Sequence, residues 1–330
     1  RILVTGAGGS IGSELCRQLA VMGPAEIVLL DKDENSVFEI DNDLKARQPS
    51  GTVILPVVAN ITNQVRLRAL FERFRPQIVF HAAAHKHVPL MECNVTEAIL
   101  NNVGGTKNVV DIAAASGAER VIFISTDKAV NPTNIMGATK KIGEAYVQEA
   151  AKRNVTKFAC VRFGNVVGSR GSVVPIFQRQ IAEGGPVTVT HPEVRRYFMS
   201  IPEAVHLIIQ AGTLGEKGEI FVLDMGRPIK ILDLVKSLIR LSGQKEEDIE
   251  IKFVGMRPGE KMFEEILIDE EKTRSTKFEK IFIAPPVDLQ NGKTVAGVDA
   301  VLLAAAAGDG GSVIKRLFDM GIGFSSEGHR

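Results

Sequence analysis

The chain has 330 residues, with 40 Lys and Arg against 39 Asp and Glu, so its formal net charge is +1. A chain of this length buries roughly 75% of its unfolded surface, enough for one large or two unequal domains. Because no block of like charge stands out, we expect binding neither to nucleic acid nor to an anionic membrane surface. The cysteines Cys16, Cys93 and Cys160 lack metal-ligand spacing, which indicates buried thiols in a reducing compartment.

The chain contains no apolar run near the ~20 residues that a membrane-spanning helix requires. It opens at Arg1 directly with a predicted strand, Ile2-Leu3-Val4, and without an initiator Met, which is typical of a domain taken from a longer protein. We therefore expect a cytoplasmic location, with a membrane anchor only in an N-terminal segment absent from this sequence.

The first predicted strand leads into a glycine-rich turn and then a predicted helix over Ser13 to Met22. The first glycine permits the tight turn, the second lets backbone N–H groups approach a pyrophosphate, and the third lets helix and strand pack closely. In this context the motif predicts a dinucleotide site and not an ordinary βα turn. The predicted cofactor-binding residues of the turn are Gly6, Gly9, Ser10, Ile11 and Gly12.

The second predicted strand, Ile27 to Leu30, ends at Asp31, 19 residues after Gly12. A carboxylate at this distance suits the adenosine ribose diol and repels a 2′-phosphate, which favours NAD over NADP. Lys32 follows immediately and weakens this discrimination, so NADP stays an alternative.

Two more strands are predicted over Val53 to Val58 and Ile78 to Phe80, separated by a helix over Val65 to Phe74. We expect Asn60 and Ile61, after the first of them, to lie beside the adenine.

The second of these strands opens into Ala82-Ala83-Ala84, small residues against which a flat cofactor can lie. His81, His85 and His87 alternate at the same strand end. No carboxylate or cysteine is in register with them, so no metal site is predicted.

A helix is predicted to begin at Asn101 to Thr106, before the central strand. Its Asn102 is either a polar clamp on the backbone near the active site or a helix cap, and the sequence leaves both open.

The central stretch, STDKAVNPTNIMGATK (Ser125 to Lys140), follows a predicted buried strand over Val121 to Ile124. It precedes a helix predicted over Ile135 to Lys152. Polar side chains at the carboxyl end of a strand, followed by a Lys on the next helix, are where an open α/β sheet places its chemistry. We therefore predict the active site here, although an Asp-Lys pair is more often a solvated turn.

Glycines after a strand at Phe158 to Val161 mark a departure from the sheet, and a helix from Ser200 and a strand at Ile220 to Leu223 return to it. The predicted fold class is α/β, a doubly wound parallel sheet with a smaller C-terminal α+β domain. The predicted cofactor domain comprises 1–165 with 199–226, and the substrate domain 166–198 with 227–330.

Several motifs together resemble the extended short-chain dehydrogenase/reductases over residues 1–286. They are TGAGGSIG, HAAAHKHVP, NNVGGT, STDKAVNPTNIMGATK, RFGNVVGSRGS, RRYFMS and RPGEK. Within that superfamily the chain resembles the nucleotide-sugar 4,6-dehydratases of bacterial polysaccharide biosynthesis. The resemblance implies a Rossmann domain that binds NAD(P) and a second domain that binds UDP-N-acetylglucosamine or a related UDP-HexNAc. It also implies at least a homodimer, and a catalytic domain attached to the bacterial inner membrane by N-terminal helices.

Two positions depart from the superfamily pattern. A Tyr usually stands four residues before the helical Lys, but here Met136 precedes Lys140, and neither Tyr146 nor Tyr197 has a Lys four residues on. The large polysaccharide dehydratases resemble this chain in having Met there. Asn60 stands where relatives commonly have Asp, and its carbonyl can accept the same hydrogen bond.

The resemblance implies a role for each active-site residue. Thr126 holds oxygen 4 of the sugar, Asp127 protonates the leaving hydroxyl, and Lys128 removes the proton on carbon 5. Lys128 then needs a lowered pKa, which we expect from burial beside oxidised nicotinamide and Lys140. Lys140 holds the nicotinamide ribose.

The remaining site residues are assigned in the same way, with Asn102 and Phe163 at the cofactor. The predicted substrate-binding residues are Lys86, Asn165, Ser172, Val173, Arg196, Arg257 and Glu260. The arginines are expected to bind the UDP pyrophosphate. Glu260 either binds the uridine ribose or is an ordinary surface residue.

Two other functions stay open. A UDP-sugar 4-epimerase shares cofactor and substrate, but it needs no acid–base pair for carbons 5 and 6. A non-catalytic dinucleotide-binding sensor is favoured only by the missing Tyr.

Overall fold

The computed structural model describes residues 1–47, 51–266, 273–287, 289 and 294–322. Its strands are β1 Ile2–Thr5, β2 Glu26–Asp31, β3 Val53–Val58, β4 Ile78–His81, β5 Arg120–Ile124, β6 Lys157–Arg162, β7 Asn165–Val166, β8 Val187–Val189, β9 Arg195–Arg196, β10 Phe198–Met199, β11 Glu219–Leu223, β12 Ile229–Lys230, β13 Ile251–Phe253, β14 Arg274–Ser275 and β15 Ile281–Ala284. Its helices are α1 Ser10–Val21, α2 Glu34–Arg47, α3 Gln64–Phe74, α4 Val88–Cys93, α5 Val95–Ala98, α6 Gly105–Ala115, α7 Ile135–Arg153, α8 Val173–Ala182, α9 Ile201–Leu214, α10 Ile231–Leu241, α11 Thr294–Ala306 and α12 Gly310–Asp319. Short 3₁₀ turns cover Asp127–Ala129 and Glu246–Asp248, and a π-helical segment covers Ile99–Gly104.

Within the described ranges, nine strands form one sheet in the order β14-β15-β11-β6-β5-β4-β1-β2-β3. The seven strands from β11 to β3 run parallel, and β15 and β14 pair antiparallel at the β11 edge. The chain order reverses between β1 and β4, which opens a crevice above the carboxyl ends of these strands. The predicted α/β, doubly wound fold is confirmed.

Helices cover both faces of the sheet, which explains why its strands are apolar on both sides. On one face α3, α6 and α7 pack on Leu3, Val28 and Val121. On the other face α1, α2 and α9 pack on Val4 and Leu29. The predicted second domain has its own apolar core, in which α8 and α10 pack on the parallel pair β8 and β13.

Part of the predicted second domain lies with the cofactor domain instead. Strands β14 and β15 extend the large sheet, and α11 and α12 place Val298, Val301 and Leu317 in the core that α3, α6 and α7 share. The assignment of 227–330 to the substrate domain therefore needs correction for residues 274–284 and 294–319, which form these strands and helices. The antiparallel pair covers what would be an open edge at β11, a reason that local sequence patterns do not reveal.

Two helix starts also differ from the prediction. The first helix begins at Ser10, not Ser13, because Gly9 is extended and the Ser13 N–H donates to the Gly9 carbonyl. The helix expected from Asn101 begins earlier, since α5 runs through the π-helical segment into α6. Across the described part of the chain, no helix is both long and apolar enough to span a bilayer.

Candidate active site

The glycine turn between β1 and α1 brings three stretches of backbone close together. Gly6 has φ +68°, and a Cβ there would lie 2.6 Å from the Ala83 nitrogen. A Cβ on Gly12 would overlap the Gly6 carbonyl oxygen. The resulting hollow is lined by backbone and lies at the start of α1, where Gly9 provides no side-chain cap for the first N–H groups. These features fit the pyrophosphate of a dinucleotide.

The hollow continues to the expected adenosine side. Asp31 Oδ2 accepts from the Gly8 N–H at 3.0 Å and Oδ1 from the Asp33 N–H at 3.2 Å, so its carboxylate is held at the pocket wall. Lys32 turns its Nζ toward His85 Nε2, 3.2 Å away. Together with Asp31 and Lys32, the pocket is lined by Gly6, Gly9, Asn60, Ile61, Ala82, Ala83 and Ala84.

Asn102 and Asn60, both predicted on the cofactor side, have defined hydrogen bonds. Asn102 Oδ1 accepts from the His85 N–H at 2.8 Å, and its Nδ2 donates to the His85 carbonyl and to Thr139 Oγ1. Asn102 is therefore a clamp on the β4 loop and not a helix cap. Asn60 Oδ1 accepts from the Thr62 N–H at 3.0 Å, which uses one of its two lone pairs.

The histidines of this loop differ in environment. His81 is buried between Thr5 Oγ1 and Thr106 Oγ1, at 2.7 and 3.0 Å. Burial and the nearby Lys140 charge lower the pKa of His81 to about 3. His81 is thus a neutral residue that joins β1, β4 and α6.

The polar centre of the site lies at the end of β5. Thr126 Oγ1 donates to Asp127 Oδ1 at 2.8 Å, and Lys128 Nζ donates to the same oxygen at 3.0 Å and to Asn165 Oδ1 at 3.2 Å. Asp127 is only 1% exposed, and its Oδ2 has no hydrogen-bond partner among the described residues. A buried carboxylate oxygen without a hydrogen-bond partner is costly. Asp127 itself does not line the cleft, whereas its neighbours Thr126 and Lys128 do.

Lys128 does not have the lowered pKa that was expected. Burial lowers its pKa, but the carboxylates of Asp127 and Glu264 outweigh burial, so the pKa is raised above its ordinary value. The prediction rested on Lys140 and the nicotinamide alone. It did not include Glu264, which lies far from Lys128 in the sequence but close to it in the fold. Before substrate binds, Lys128 is therefore protonated at neutral pH.

Lys140 occupies the helical position that the sequence indicated. Its Nζ donates to the Ile124 carbonyl at 2.9 Å and lies 4.5 Å from the centre of the Phe123 ring. Burial, opposed by Glu144, lowers the pKa of Lys140 to about 8. Met136 lies one turn earlier, 3% exposed, and lines the cleft with Lys140 and Phe163. Its thioether has no proton to transfer.

A buried charge network behind β5 was not predicted from the sequence. The Arg162 guanidinium donates to both Glu144 oxygens at 2.6 and 2.5 Å, and Ser125 Oγ donates to Glu144 Oε1 at 2.6 Å. Arg162 and Glu144 are 2% and 0% exposed. This pair fixes Ser125, the residue before Thr126, to helix α7.

The predicted substrate residues fall into two groups. Lys86, Asn165, Ser172 and Val173 line a cleft of about 520 Å³ together with Thr126 and Lys128. Burial, together with the Lys128 charge, lowers the pKa of Lys86.

Arg196, Arg257 and Glu260 do not line this cleft. The Arg196 side chain is buried and donates to Glu260 Oε1 at 3.0 Å, and Glu260 also accepts from Thr190. Arg257 is exposed, and its backbone N–H donates to Glu260 Oε2 at 3.2 Å. Glu260 is therefore a partner of Arg196 in this structure, and its role toward a ribose stays a prediction.

Residues 259–265, which we call the docking segment, connect the second domain to the loop that follows Lys128. Thr133 Oγ1 and Asn134 Nδ2 both donate to the Gly259 carbonyl at 3.0 Å. Lys261 Nζ donates to the Val130 carbonyl at 3.1 Å. A Cβ on Gly259 would lie 2.7 Å from the Asn134 Cβ, so only glycine permits this approach.

A second connection crosses the glycine turn. The Arg170 N–H donates to Ser10 Oγ at 3.0 Å, and its guanidinium donates to Ser36 Oγ at 2.9 Å and Glu39 Oε2 at 2.8 Å. Ser10 and Ile11, predicted at the cofactor, thus lie beside a loop of the second domain, where both line the cleft.

The fold and the site together define a nucleotide-binding protein of the extended short-chain dehydrogenase/reductase class. The strand order, the glycine turn, Asp31 and the helical Lys140 are its defining features. Solved structures with this fold that hold NAD are 21% identical to this chain and show the fold alone. The glycine turn and the pocket beside Asp31 fit a dinucleotide, as the sequence predicted.

More narrowly, the chain belongs to the polysaccharide biosynthesis protein family, whose model matches residues 2–286. It is 56% identical over 282 residues to the capsular polysaccharide biosynthesis protein CapD of Staphylococcus aureus, covering 85% of this chain and 47% of that one. A UDP-N-acetylglucosamine 4,6-dehydratase (inverting) of Campylobacter jejuni is 32% identical, over 86% of this chain and 82% of that one. The chain thus spans about half the length of CapD.

Among solved structures, Pen from Bacillus thuringiensis matches with a TM-score of 0.79 and 32% identity, over 86% of this chain and 89% of that one. Proteins named UDP-glucose 4-epimerase in Rickettsia bellii are 33% identical, over 83% of this chain. The relatives of this chain are thus named for two different reactions.

Proposed function

We propose that the chain is an NAD(P)-dependent UDP-N-acetylglucosamine 4,6-dehydratase, acting on that substrate or a related UDP-HexNAc. The product is a UDP-4-keto-6-deoxy sugar for capsule, O-antigen or glycan synthesis. The observation that carries the proposal is the Asp127–Lys128 pair at the end of β5: Lys128 lines the cleft beside Thr126, no tyrosine is among the described residues that line it, and Asp127 Oδ2 lacks a hydrogen-bond partner among the described residues.

The reaction requires oxidation at carbon 4, elimination of water across carbons 5 and 6, and reduction at carbon 6. A dinucleotide held by the glycine turn and Asp31 would supply the hydride acceptor for carbon 4 and the hydride donor for carbon 6. The residues of this chain have to orient the sugar and move two protons.

The first proton leaves oxygen 4 of the sugar. In our proposal Thr126 and Asp127 hold this hydroxyl, and Asp127 takes its proton as the ketone forms. Asp127 then gives that proton to oxygen 6, so the same carboxyl serves as base and as acid. The hydrogen bond between Thr126 Oγ1 and Asp127 Oδ1 supports this shared task.

The second proton leaves carbon 5, which the ketone acidifies. Neutral Lys128 takes it during elimination and returns it to carbon 5 when hydride reaches carbon 6. All protons then balance, and both residues end as they began. Lys128 must start without its proton, so turnover should rise with pH through the raised pKa of this lysine.

The substrate side is proposed from the residues that line the cleft and from Arg196 beyond it. Lys86, Asn165, Ser172 and Val173 are placed to contact the sugar and phosphates. Arg196 and Arg257 are proposed to bind the UDP diphosphate, for which Arg196 would exchange its contact with Glu260. Membrane attachment and a homo-oligomeric state stay predictions.

Proton NMR of UDP-N-acetylglucosamine incubated with the protein and NAD tests the proposal. We expect a 4-keto-6-deoxy product.

A second candidate, a UDP-sugar 4-epimerase, is favoured by the relatives that carry that name. Its product, UDP-N-acetylgalactosamine, would exclude our proposal. Binding of NAD and UDP-sugar without turnover, even in the full-length protein, would instead indicate a non-catalytic sensor.

A further inference from the structure

Glu264 is a buried carboxylate of the docking segment that belongs to none of the residues assigned so far. Its side chain is 5% exposed, and its Oε1 lies 3.6 Å from Lys128 Nζ and 3.7 Å from Arg196 Nε. One oxygen thus lies between the proposed base and the proposed diphosphate-binding arginine.

Both domains fix the position of Glu264. On one side, Phe263 pairs with Arg195 in an isolated parallel bridge, and the Arg195 N–H donates to the Met262 carbonyl at 3.2 Å. On the other side, Lys261 and Gly259 contact the loop that follows Lys128. Since both domains hold the chain immediately before Glu264, the carboxylate has little freedom to move away from the two cations.

The other contacts of the two cations explain why they need Glu264. Arg196 NH1 donates to the Arg195 and Met262 carbonyls and NH2 donates to Glu260, which leaves Nε directed at Glu264. Lys128 has Asp127 and Asn165 as hydrogen-bond partners. Without Glu264, two buried cations would face each other across the space its carboxylate now occupies.

We propose that Glu264 is a positioning residue, whose single oxygen holds the Lys128 ammonium beside Asp127 and the Arg196 guanidinium beside Glu260. This inference rests on the proposed function, because it assigns Lys128 to the carbon-5 proton and Arg196 to the diphosphate. Glu264 couples the two tasks, so its loss should lower the maximal kcat, reached at a pH where Lys128 is neutral, because Lys128 is less well positioned, and should raise KM through Arg196.

Four charged groups face Lys128 from the elements packed against it. Asp127 and Glu264 raise its pKa, Arg196 lowers it, and Lys86 lies across the cleft with a pKa that the Lys128 charge lowers in turn. Removing only the Glu264 charge should therefore let Lys128 lose its proton at lower pH. An opposite charge at such a distance shifts a pKa by about 1 unit or more.

The experiment compares E264Q with wild type by two readouts. The first is the titration of Lys128, followed by NMR in protein labelled with ¹³C at the lysine ε carbon and assigned with K128R. The second is the pH dependence of kcat and kcat/KM for UDP-N-acetylglucosamine. In E264Q we expect both midpoints to fall by about 1 pH unit, with kcat at least tenfold lower at the optimum.

E265Q is the matched control. Glu265 is the adjacent residue, is exposed, and pairs with Lys261 and Asn131, outside the cleft. Both E265Q midpoints should equal those of wild type. E264D keeps the charge with a shorter reach and should give an intermediate Lys128 midpoint, which serves as a second test if E264Q does not fold.

A Lys128 midpoint that is unchanged in E264Q or E264D, or equally shifted in E265Q, would overturn the proposal. The proposed function and the proposed role of Glu264 can be refuted independently of each other. If wild type does not turn over UDP-N-acetylglucosamine, the proposed function falls, while the NMR midpoints still decide whether Glu264 holds Lys128.

Discussion

Replacing Asp127 by Asn tests the proposed proton transfers with almost no change in shape. The Asn carbonyl oxygen can keep the hydrogen bonds that Asp127 Oδ1 now accepts from Thr126 and Lys128, at 2.8 and 3.0 Å. What Asn cannot do is take a proton from oxygen 4 and give it to oxygen 6. The buried Oδ2 position becomes an NH₂ group, which can donate a hydrogen bond but cannot take up a proton as a carboxylate does.

The expected loss follows from the role of Asp127 as a general acid and base. A positioned acid or base contributes about 10²–10⁴-fold to a rate. Because one side chain serves two successive steps, the slower step sets the observed loss. We therefore expect kcat to fall by about 10²–10⁴-fold, which corresponds to about 3–5 kcal/mol in the activation barrier.

The assay measures product by NMR and NAD binding by calorimetry, and the structure offers a matched control. Asp111 on α6 also accepts from a lysine and a hydroxyl, Lys107 at 2.9 Å and Tyr146 at 2.7 Å, but it lies outside the cleft. Asp111→Asn should keep kcat within a few-fold of wild type. Asp127→Asn should bind NAD normally. An Asp127→Asn protein with more than a tenth of wild-type kcat would refute the assignment.

Three further predictions test the cofactor cradle, the Met position and the buried lysine. Gly12→Ala should abolish NAD binding, because its Cβ would overlap the Gly6 carbonyl, whereas Gly310→Ala, in open space, should leave NAD binding unchanged in calorimetry. Met136→Leu, similar in volume, should keep kcat within about tenfold, since the Met136 thioether moves no proton; a larger loss would mean that it contacts a reacting group. The pKa of Lys140 is lowered by burial from 10.5 to about 8, so the unfolded chain binds more protons between these values and stability rises with pH there. Urea unfolding should therefore show wild type gaining roughly 3 kcal/mol over Lys140→Met between pH 8 and 10.5, and a pH-independent difference would contradict this.

Much of the fold was predictable because its signals are local. Apolar runs of three to six residues mark β1, β2, β3 and β5, and the glycine turn and Asp31 follow from short-range spacing. Lys140 was predictable for the same reason, since strand end and next helix are neighbours in sequence.

Contacts between distant parts of the chain were not predictable. Glu264 meets Lys128 across 136 residues, and Arg170 meets Ser10 across 160, and neither pair carries a sequence signal of its own. The raised pKa of Lys128 was missed because Glu264 was missed. Likewise, the short strands β14 and β15 join the large sheet only because β11 offers an edge.

The fate of the hydrogen on carbon 4 tests the central claim most directly. The measurement is NMR of the product formed from UDP-N-acetylglucosamine deuterated at carbon 4, in ordinary water with unlabelled NAD. A 4,6-dehydratase moves the label to carbon 6 of a 4-keto-6-deoxy sugar, which is the result we predict. Deuterium that stays on carbon 4 of a UDP-N-acetylgalactosamine product would contradict the account.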